Sequence, residues 1–285
     1  MRSGKNPLRR KQVKAGPPIV AAVVTHLPDR RGYHAKRLQV IKIALLSIRQ
    51  NAGRPIHVAV FDNGSCDDLR DWLINDYRPE SLVLSDNVGK AAAQRCLAHM
   101  FAPYTIMSFT DDDMLHYPGW LDKQLDILDR FPECVVTGYP TRSQSRHSIE
   151  SVKAWIETEP SATTETGRLM PAAWLDDYLE SVGLTESNHS LTNAQQTLIT
   201  YKGVQAFAGS HHCQVMGFID TLLPFFELGA FDTYTRSENE YFDRPTDEAG
   251  ILRLSTAERY TRHIGNILEG SILEAVKEIG LMEYA

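Results

Sequence analysis

At 285 residues, 42% hydrophobic and 23% charged, the chain has material for one large globular domain or two small ones. Its net charge of −6 gives no general reason to expect a polyanionic partner, and no apolar run reaches transmembrane length. Cys66, Cys96, Cys134 and Cys213 are widely separated and form no CxxC pair, which excludes a disulfide framework or structural zinc site and makes a reducing cytoplasm the default compartment.

Residues 1–17 read as a flexible basic tail, with Arg2, Lys5, Arg9, Arg10, Lys11 and Lys14 and no acidic residue among the first 14. No apolar segment follows it before Gly16-Pro17-Pro18, so it is not a secretory signal. Ile19 to Thr25 is then a β-branched run of the kind buried in parallel sheets. Leu38, Ile41, Leu45 and Ile48 recur at helical steps until Asn51-Ala52-Gly53. A second strand over Pro55 to Phe61 ends in the turn Asp62-Asn63-Gly64-Ser65, and a helix follows over Asp67 to Tyr77. A third strand, Ser81 to Ser85, leads through Asn87-Val88-Gly89-Lys90 into an alanine-rich helix. Strands and helices alternating at this rhythm predict βαβ units and a mainly parallel sheet.

The fourth strand, Tyr104 to Phe109, organises the rest, because it delivers Asp111, Asp112 and Asp113 to its own end. Adjacent carboxylates repel, and a magnesium or manganese ion shared with nucleotide phosphates would hold them ionised. In open α/β sheets ligands collect outside the carboxyl ends of the strands. The same triplet also suits a solvated turn or a helix start.

Beyond it lie a helix from Trp120 with Leu121, Leu125 and Leu128, and a fifth strand over Cys134 to Gly138. A Ser/Thr-rich region, 141–195, reads as an insertion or lid on the acceptor side with one or two helices, its Trp155 and Trp174 suited to local core or to sugar stacking. Thr197 to Ala208 resumes strand-like alternation, and an amphipathic helix with Ile267, Leu268, Ile272, Leu273 and Val276 closes the chain at 267–285. His211 and His212, as neighbours on a strand, would face opposite ways, which argues against a shared metal.

In this order and at these intervals, the strand ending at Thr25, Asp62 in DNGS, Asn87-Val88-Gly89-Lys90 with Arg95, the triple Asp followed by Pro118-Gly119-Trp120, Gly229-Ala230-Phe231-Asp232 and an acidic segment ending at Ala249-Gly250 resemble the GT-A nucleotide-sugar glycosyltransferases of family 2. The resemblance covers about 18–140 and 205–266. It implies a Rossmann-like GT-A domain over 18–266, with a nucleotide-binding half at 18–140 and an acceptor half at 196–266. It further implies a nucleoside-diphosphate sugar donor and a Mn2+ or Mg2+ cofactor.

By the family pattern, Thr25 and Asp62 border the nucleotide base, with an Asx-turn as the other reading of Asp62. Asn87, Gly89, Lys90 and Arg95 approach the phosphates, Asp111 and Asp112 face the donor, and Asp111, Asp113 and His263 hold the metal. An inverting displacement also needs a base. Where the pattern has Glu-Asp, this chain has Glu238-Asn239-Glu240-Tyr241, which points to Glu240 with Glu238 and Asp243 in reserve. Pro245 disfavours helix at Arg244 and would move the helix start past these carboxylates. A sugar-phosphate nucleotidyltransferase and a catalytically degenerate glycan- or nucleotide-binding module are the alternatives. The acceptor stays open among saccharides, lipid-linked glycans, proteins, small molecules and, because of the tail, modified DNA.

Overall fold

The structure, a computed structural model, describes residues 19–102, 105–140, 149–182, 195–229, 237–266 and 268–285. The basic tail, the turn residues Ala230, Phe231 and Asp232, and Ile267 lie outside them. Among the described residues no helix is long and apolar enough to cross a membrane.

Four strands, β1 (Ile19–Thr25), β2 (His57–Asn63), β3 (Ser81–Ser85) and β4 (Ile106–Asp111), lie parallel in the order β3-β2-β1-β4. The crossovers are α1 (Arg37–Asn51), α2 (Asp67–Trp72) with a wide turn at Leu73–Tyr77, and α3 (Lys90–His99). Small and β-branched residues make this possible, because β1 is covered on both faces. Val20 and Ala22 pack with Phe109, Leu97 and Phe226, while Ala21 and Val23 pack with Ile41, Leu45 and Trp120. The register pairs Thr25 with Asp62 and Val24 with Asp111, so three strand ends finish level.

After β4 comes a short ribbon that the sequence pattern does not suggest: β5 (Met114–His116) pairs antiparallel with β12 (Thr261–His263), setting His263 opposite Met114. The main sheet continues through α4 (Trp120–Arg130) to β6 (Cys134–Thr137). It grows outward in the order β4-β10-β6-β11-β9-β8-β7, where β7 is Thr163–Gly167, β8 Gln196–Tyr201, β9 Val204–Ala208, β10 Gln214–Phe218 and β11 Leu252–Thr256. Strands β6, β8 and β11 run with β1 to β4, and β7, β9 and β10 run against them.

Three local readings change. Strand β4 runs on into Asp111 rather than ending at Phe109. The stretch Thr197 to Ala208 is not one strand but a hairpin turning at Lys202 (φ 46°) and Gly203 (φ 80°), the positive-φ pair of a tight two-residue turn. Within 141–195, α5 (Glu150–Thr158) packs on β11, with Ser151 bonded to Asp247 and to the Ile251 carbonyl, while β7 pairs with β8 as a polar sheet edge. Helix α6 (Ala172–Ser181) is tied to the main body by Asp177, which takes both Arg259 and Arg262. Trp155 packs with Phe131 and Tyr201, and Trp174 lies against the Arg259 guanidinium. Two further helices follow: α7 (Ile219–Gly229) packs on α3 and α8 (Arg244–Glu248) on α5 and β11, while the last α-helix, α9 (Gly270–Glu278), starts three residues later than the periodicity suggests.

Candidate active site

The level ends of β1, β2 and β4 place Thr25, Asp62 and the aspartate triplet along one edge. Asp62 is fully buried and already committed. Thr25 Oγ1 donates to Oδ1 (3.4 Å), and the Ser65 backbone N–H (3.3 Å) and Arg70 Nε (2.8 Å) donate to Oδ2. Asp62 thus braces its own turn through the Ser65 N–H, three residues on, and carries an ion pair with Arg70 as well; it does not open the helix, which starts at Asp67 after Cys66. Next to it, Asn63 Oδ1 accepts from Val88 N (2.8 Å), while Asn87 Oδ1 accepts from Asn63 Nδ2 and from Gly89 N, both at 3.1 Å. Gly64 (φ 81°) lies so close to this loop that a Cβ there would stand 2.7 Å from Asn87 N. Gly89 (φ 88°) then turns the chain into α3, opening at Lys90.

Cations meet every carboxylate of the triplet: Lys90 on Asp111, and Arg37 shared by Asp112 and Asp113. Asp111 Oδ1 meets Lys90 Nζ at 2.5 Å; burial pushes its pKa up to about 6 even though Lys90 opposes the rise. Asp112 is bonded through Oδ1 to Arg37 Nη2 and accepts from the His26 backbone N–H at 3.2 Å, with burial again raising its pKa. Asp113 Oδ2 accepts from Arg37 Nη1 (3.2 Å) and faces His263 Nε2 (3.5 Å). Burial would raise the Asp113 pKa, but His263 and Arg37 outweigh it and hold the carboxyl well below its usual range. His263 is in turn raised, since Asp113 overcomes its desolvation, and its Nδ1 lies 2.8 Å from Ser181 Oγ.

The other oxygen of Asp113, Oδ1, is buried with no hydrogen-bond partner. A carboxylate with one orphaned oxygen and an imidazole against the other is a donor set that fits a divalent cation such as manganese. Asp111, two residues earlier, adds a second carboxylate at the same strand end.

The three carboxylates considered for the base separate sharply. Glu238 points into the cleft, its Oε1 2.7 Å from Lys90 Nζ and its Oε2 3.8 Å from His212 Nε2. Glu240, the choice from sequence, is exposed; two residues apart on a helix point different ways, and the inward place belongs to Glu238. Asp243 is fully buried between Arg253 Nη2 (2.5 Å) and His212 Nδ1 (2.6 Å), so it is closed to a substrate. Nor does Pro245 displace the helix: the helical run starts at Glu238, passes through a wide turn at Asn239–Asp243 and continues into α8, so Asp243 and Arg244 are both helical and Pro245 lies inside the run, next to that widened turn.

His211 and His212 are not on a strand. They form a turn before β10, with ring centroids 4.6 Å apart, and together with Cys213 their ligand atoms fall within 4.8 Å of one another. The premise that they face apart fails for that reason. Burial keeps the Cys213 thiol well above its usual pKa, and His212 Nδ1 is engaged by Asp243, a poor arrangement for a metal.

Arg95 lies half-buried further along α3, and the guanidinium on the triplet is that of Arg37. Sequence reasoning missed Arg37, Asn266 and Arg253, and for the His211–His212 pair it expected only that one of the two lines the acceptor pocket. Arg37 opens α1 just after the first loop, a position from which a basic side chain can reach a strand end, and its Nη1 also bonds Asn266 Oδ1 (2.7 Å). Nothing in the local text around Arg253 marks it as other than a strand residue.

The family description "Glycosyl transferase family 2" matches residues 33–178, half of the chain, from the approach to α1 through most of α6. The chain belongs to glycosyl transferase family 2, and the chemistry of that family is glycosyl rather than nucleotidyl transfer. No curated protein sequence matches it. Among solved structures, the crystal structure of S. aureus TarS 1-349 is 18% identical with a TM-score of 0.32, covering 41% of this chain and 34% of that one. The same protein in complex with UDP-GlcNAc is 19% identical (TM-score 0.33; 41% and 33%). The mannosyltransferase PcManGT from Pyrobaculum calidifontis, in complex with GDP-Man and Mn2+, is 20% identical (TM-score 0.32; 45% and 39%). The chain thus spans little more than a third of the length of these proteins.

Proposed function

We propose that the chain is a metal-dependent, inverting glycosyltransferase that moves a sugar from a nucleoside-diphosphate donor to an acceptor hydroxyl. One observation carries the reading: a triplet at the end of a central parallel strand, level with Thr25 and Asp62, leaves Asp113 with one buried oxygen unpartnered while its other oxygen faces His263. Asp111, Asp113 and His263 would hold Mn2+ or Mg2+, which when bound supplies charge stabilisation to the departing diphosphate.

The chain's own residues have complementary tasks. Lys90 neutralises Asp111 and Glu238 and can be drawn to phosphate charge instead. Asp112 fixes Arg37, and Gly89 with Asn87 shapes the loop over which phosphates approach. Asp62 holds Arg70 and Thr25 at the rim of the base pocket; the nucleotide contact falls to these neighbours rather than to the enclosed carboxylate. Glu238 takes the place of the general base, with its Oε2 turned away from Lys90.

The test is thermal stabilisation by a panel of nucleoside diphosphates and their sugars, with and without manganese, on the parent, Asp113→Ala and Asp113→Asn. A ligand at about 100 times its Kd adds about 2.7 kcal/mol. Manganese-dependent stabilisation by one nucleotide, lost in both variants, supports the reading and names the donor base. A folded parent that no nucleotide stabilises overturns it.

A further inference from the structure

Behind Glu238 stands a chain of buried charges that donor binding does not require. Arg253, fully buried, donates to Asp243 Oδ1 at 2.5 Å and to the Ser210 carbonyl at 2.8 Å. Asp243 Oδ2 accepts from His212 Nδ1 at 2.6 Å. That bond fixes the imidazole with its proton on Nδ1 and leaves Nε2 pointing at Glu238 Oε2, 3.8 Å away. His212 keeps about a fifth of its side chain exposed and Asp243 almost none, so the imidazole faces the cleft and the carboxylate supports it from behind.

Such an arrangement has a use where the usual Glu-Asp pair is missing. Glu238 is bonded to Lys90, and a carboxylate neutralised by an ammonium is a weak base. An imidazole beside its other oxygen corrects that weakness.

We propose that His212, held by Asp243, takes the acceptor's proton on from Glu238, so that the base of this enzyme is a Glu238–His212 relay. The inference rests on the glycosyl-transfer reading. In the step, the acceptor oxygen forms a bond to the anomeric carbon as the bond from that carbon to the diphosphate oxygen breaks, its electron pair leaving with the diphosphate. The acceptor proton moves to Glu238 Oε2 and then to His212 Nε2, while Nδ1–H continues to donate to Asp243. The product state is an imidazolium beside a carboxylate that Arg253 anchors.

His212 therefore has to be neutral before each turnover. The groups facing its ring are Asp243, Glu238, Lys90 and His211. Burial lowers its pKa, but Asp243 and Glu238 overcome this and leave it above the usual histidine value. The ascending limb of kcat against pH belongs above 6.5, far from the carboxylate range.

The experiment follows nucleoside-diphosphate release from a nucleotide sugar that stabilises the parent, with water as the acceptor, across pH 5 to 9. The proteins are the parent, His212→Gln, Glu238→Gln and the double variant, with NMR titration of the His212 ring alongside. The expected result is a parent limb above pH 6.5, a fall in kcat of about 100-fold with KM retained in His212→Gln, disappearance of that limb, and no further fall in the double variant beyond the worse single one. A His212→Gln profile that superimposes on the parent's overturns the relay and leaves glycosyl transfer standing. A folded parent that binds a nucleotide sugar but releases no diphosphate at any pH overturns both.

Discussion

The two sides of the cleft are built by different means. On the nucleotide side, Thr25, Asp62 and Asp111 occupy the ends of neighbouring parallel strands; the two loops that follow are tied to each other by bonds from Asn63 to Asn87 and Val88, with Gly64 packed on Asn87, and ion pairs of Arg70 with Asp62 and of Arg37 with Asp112 and Asp113 are added to that frame. On the acceptor side, Glu238, His212 and Asp243 come from a helix and a turn, and what holds them is charge centred on the buried Asp243: Arg253 to Asp243 and Asp243 to His212, with the partly exposed Lys90 on Glu238. Backbone register is local and tolerant of side-chain change. A buried ion pair is neither, since removing one partner strands the other in a poorly polarisable interior.

That contrast predicts an order of stability effects. Asp243→Ala removes the nearest counter-charge of the fully buried Arg253 guanidinium and is expected to cost about 3–5 kcal/mol, a fall in Tm on the order of 10 °C by calorimetry. A drop of only a degree or two would mean that the acceptor side is not held by charge. Next in size is His116, in the β5 ribbon between the two sides, whose pKa burial drives down to about 3. Because the unfolded chain takes up this proton more readily, its contribution is intact above pH 6.5 and is lost as pH falls from there toward 3, approaching about 1.4 kcal/mol per pH unit. Urea midpoints of His116→Phe measured between pH 6.5 and 4.5 are expected to fall less steeply than the parent's; equal slopes would refute the assignment. The smallest effect belongs to the backbone-built side. Gly64→Ala, strained at φ 81° and pressed on Asn87 N, is expected to cost about 2 kcal/mol, and a cost matching that of Asp243→Ala would erase the distinction.

The same contrast governs what could be read in advance. The first four strands, the helices between them and the aspartate triplet follow from β-branched runs, helical spacing and turn residues, and all fall within a residue or two of their expected places. The acceptor side misleads. Glu238 and Glu240 are alike in sequence, and only their orientation on the helix separates the inward one from the exposed one. His211 and His212 lie between strand-like stretches, and only the structure shows that the chain turns there before β10. The β5–β12 ribbon that brings His263 to Asp113 joins segments about 150 residues apart.

The sequence alone therefore determined the family's fold, the strand that carries the triplet, and the residue types capable of holding a cation, because hydrophobic periodicity and turn chemistry act over a few residues. Tertiary structure decided the pairings: Arg37 on Asp112 and Asp113, Arg70 on Asp62, Arg253 and His212 on Asp243. A charge chooses its partner by burial and distance, and both are set only when separate elements pack.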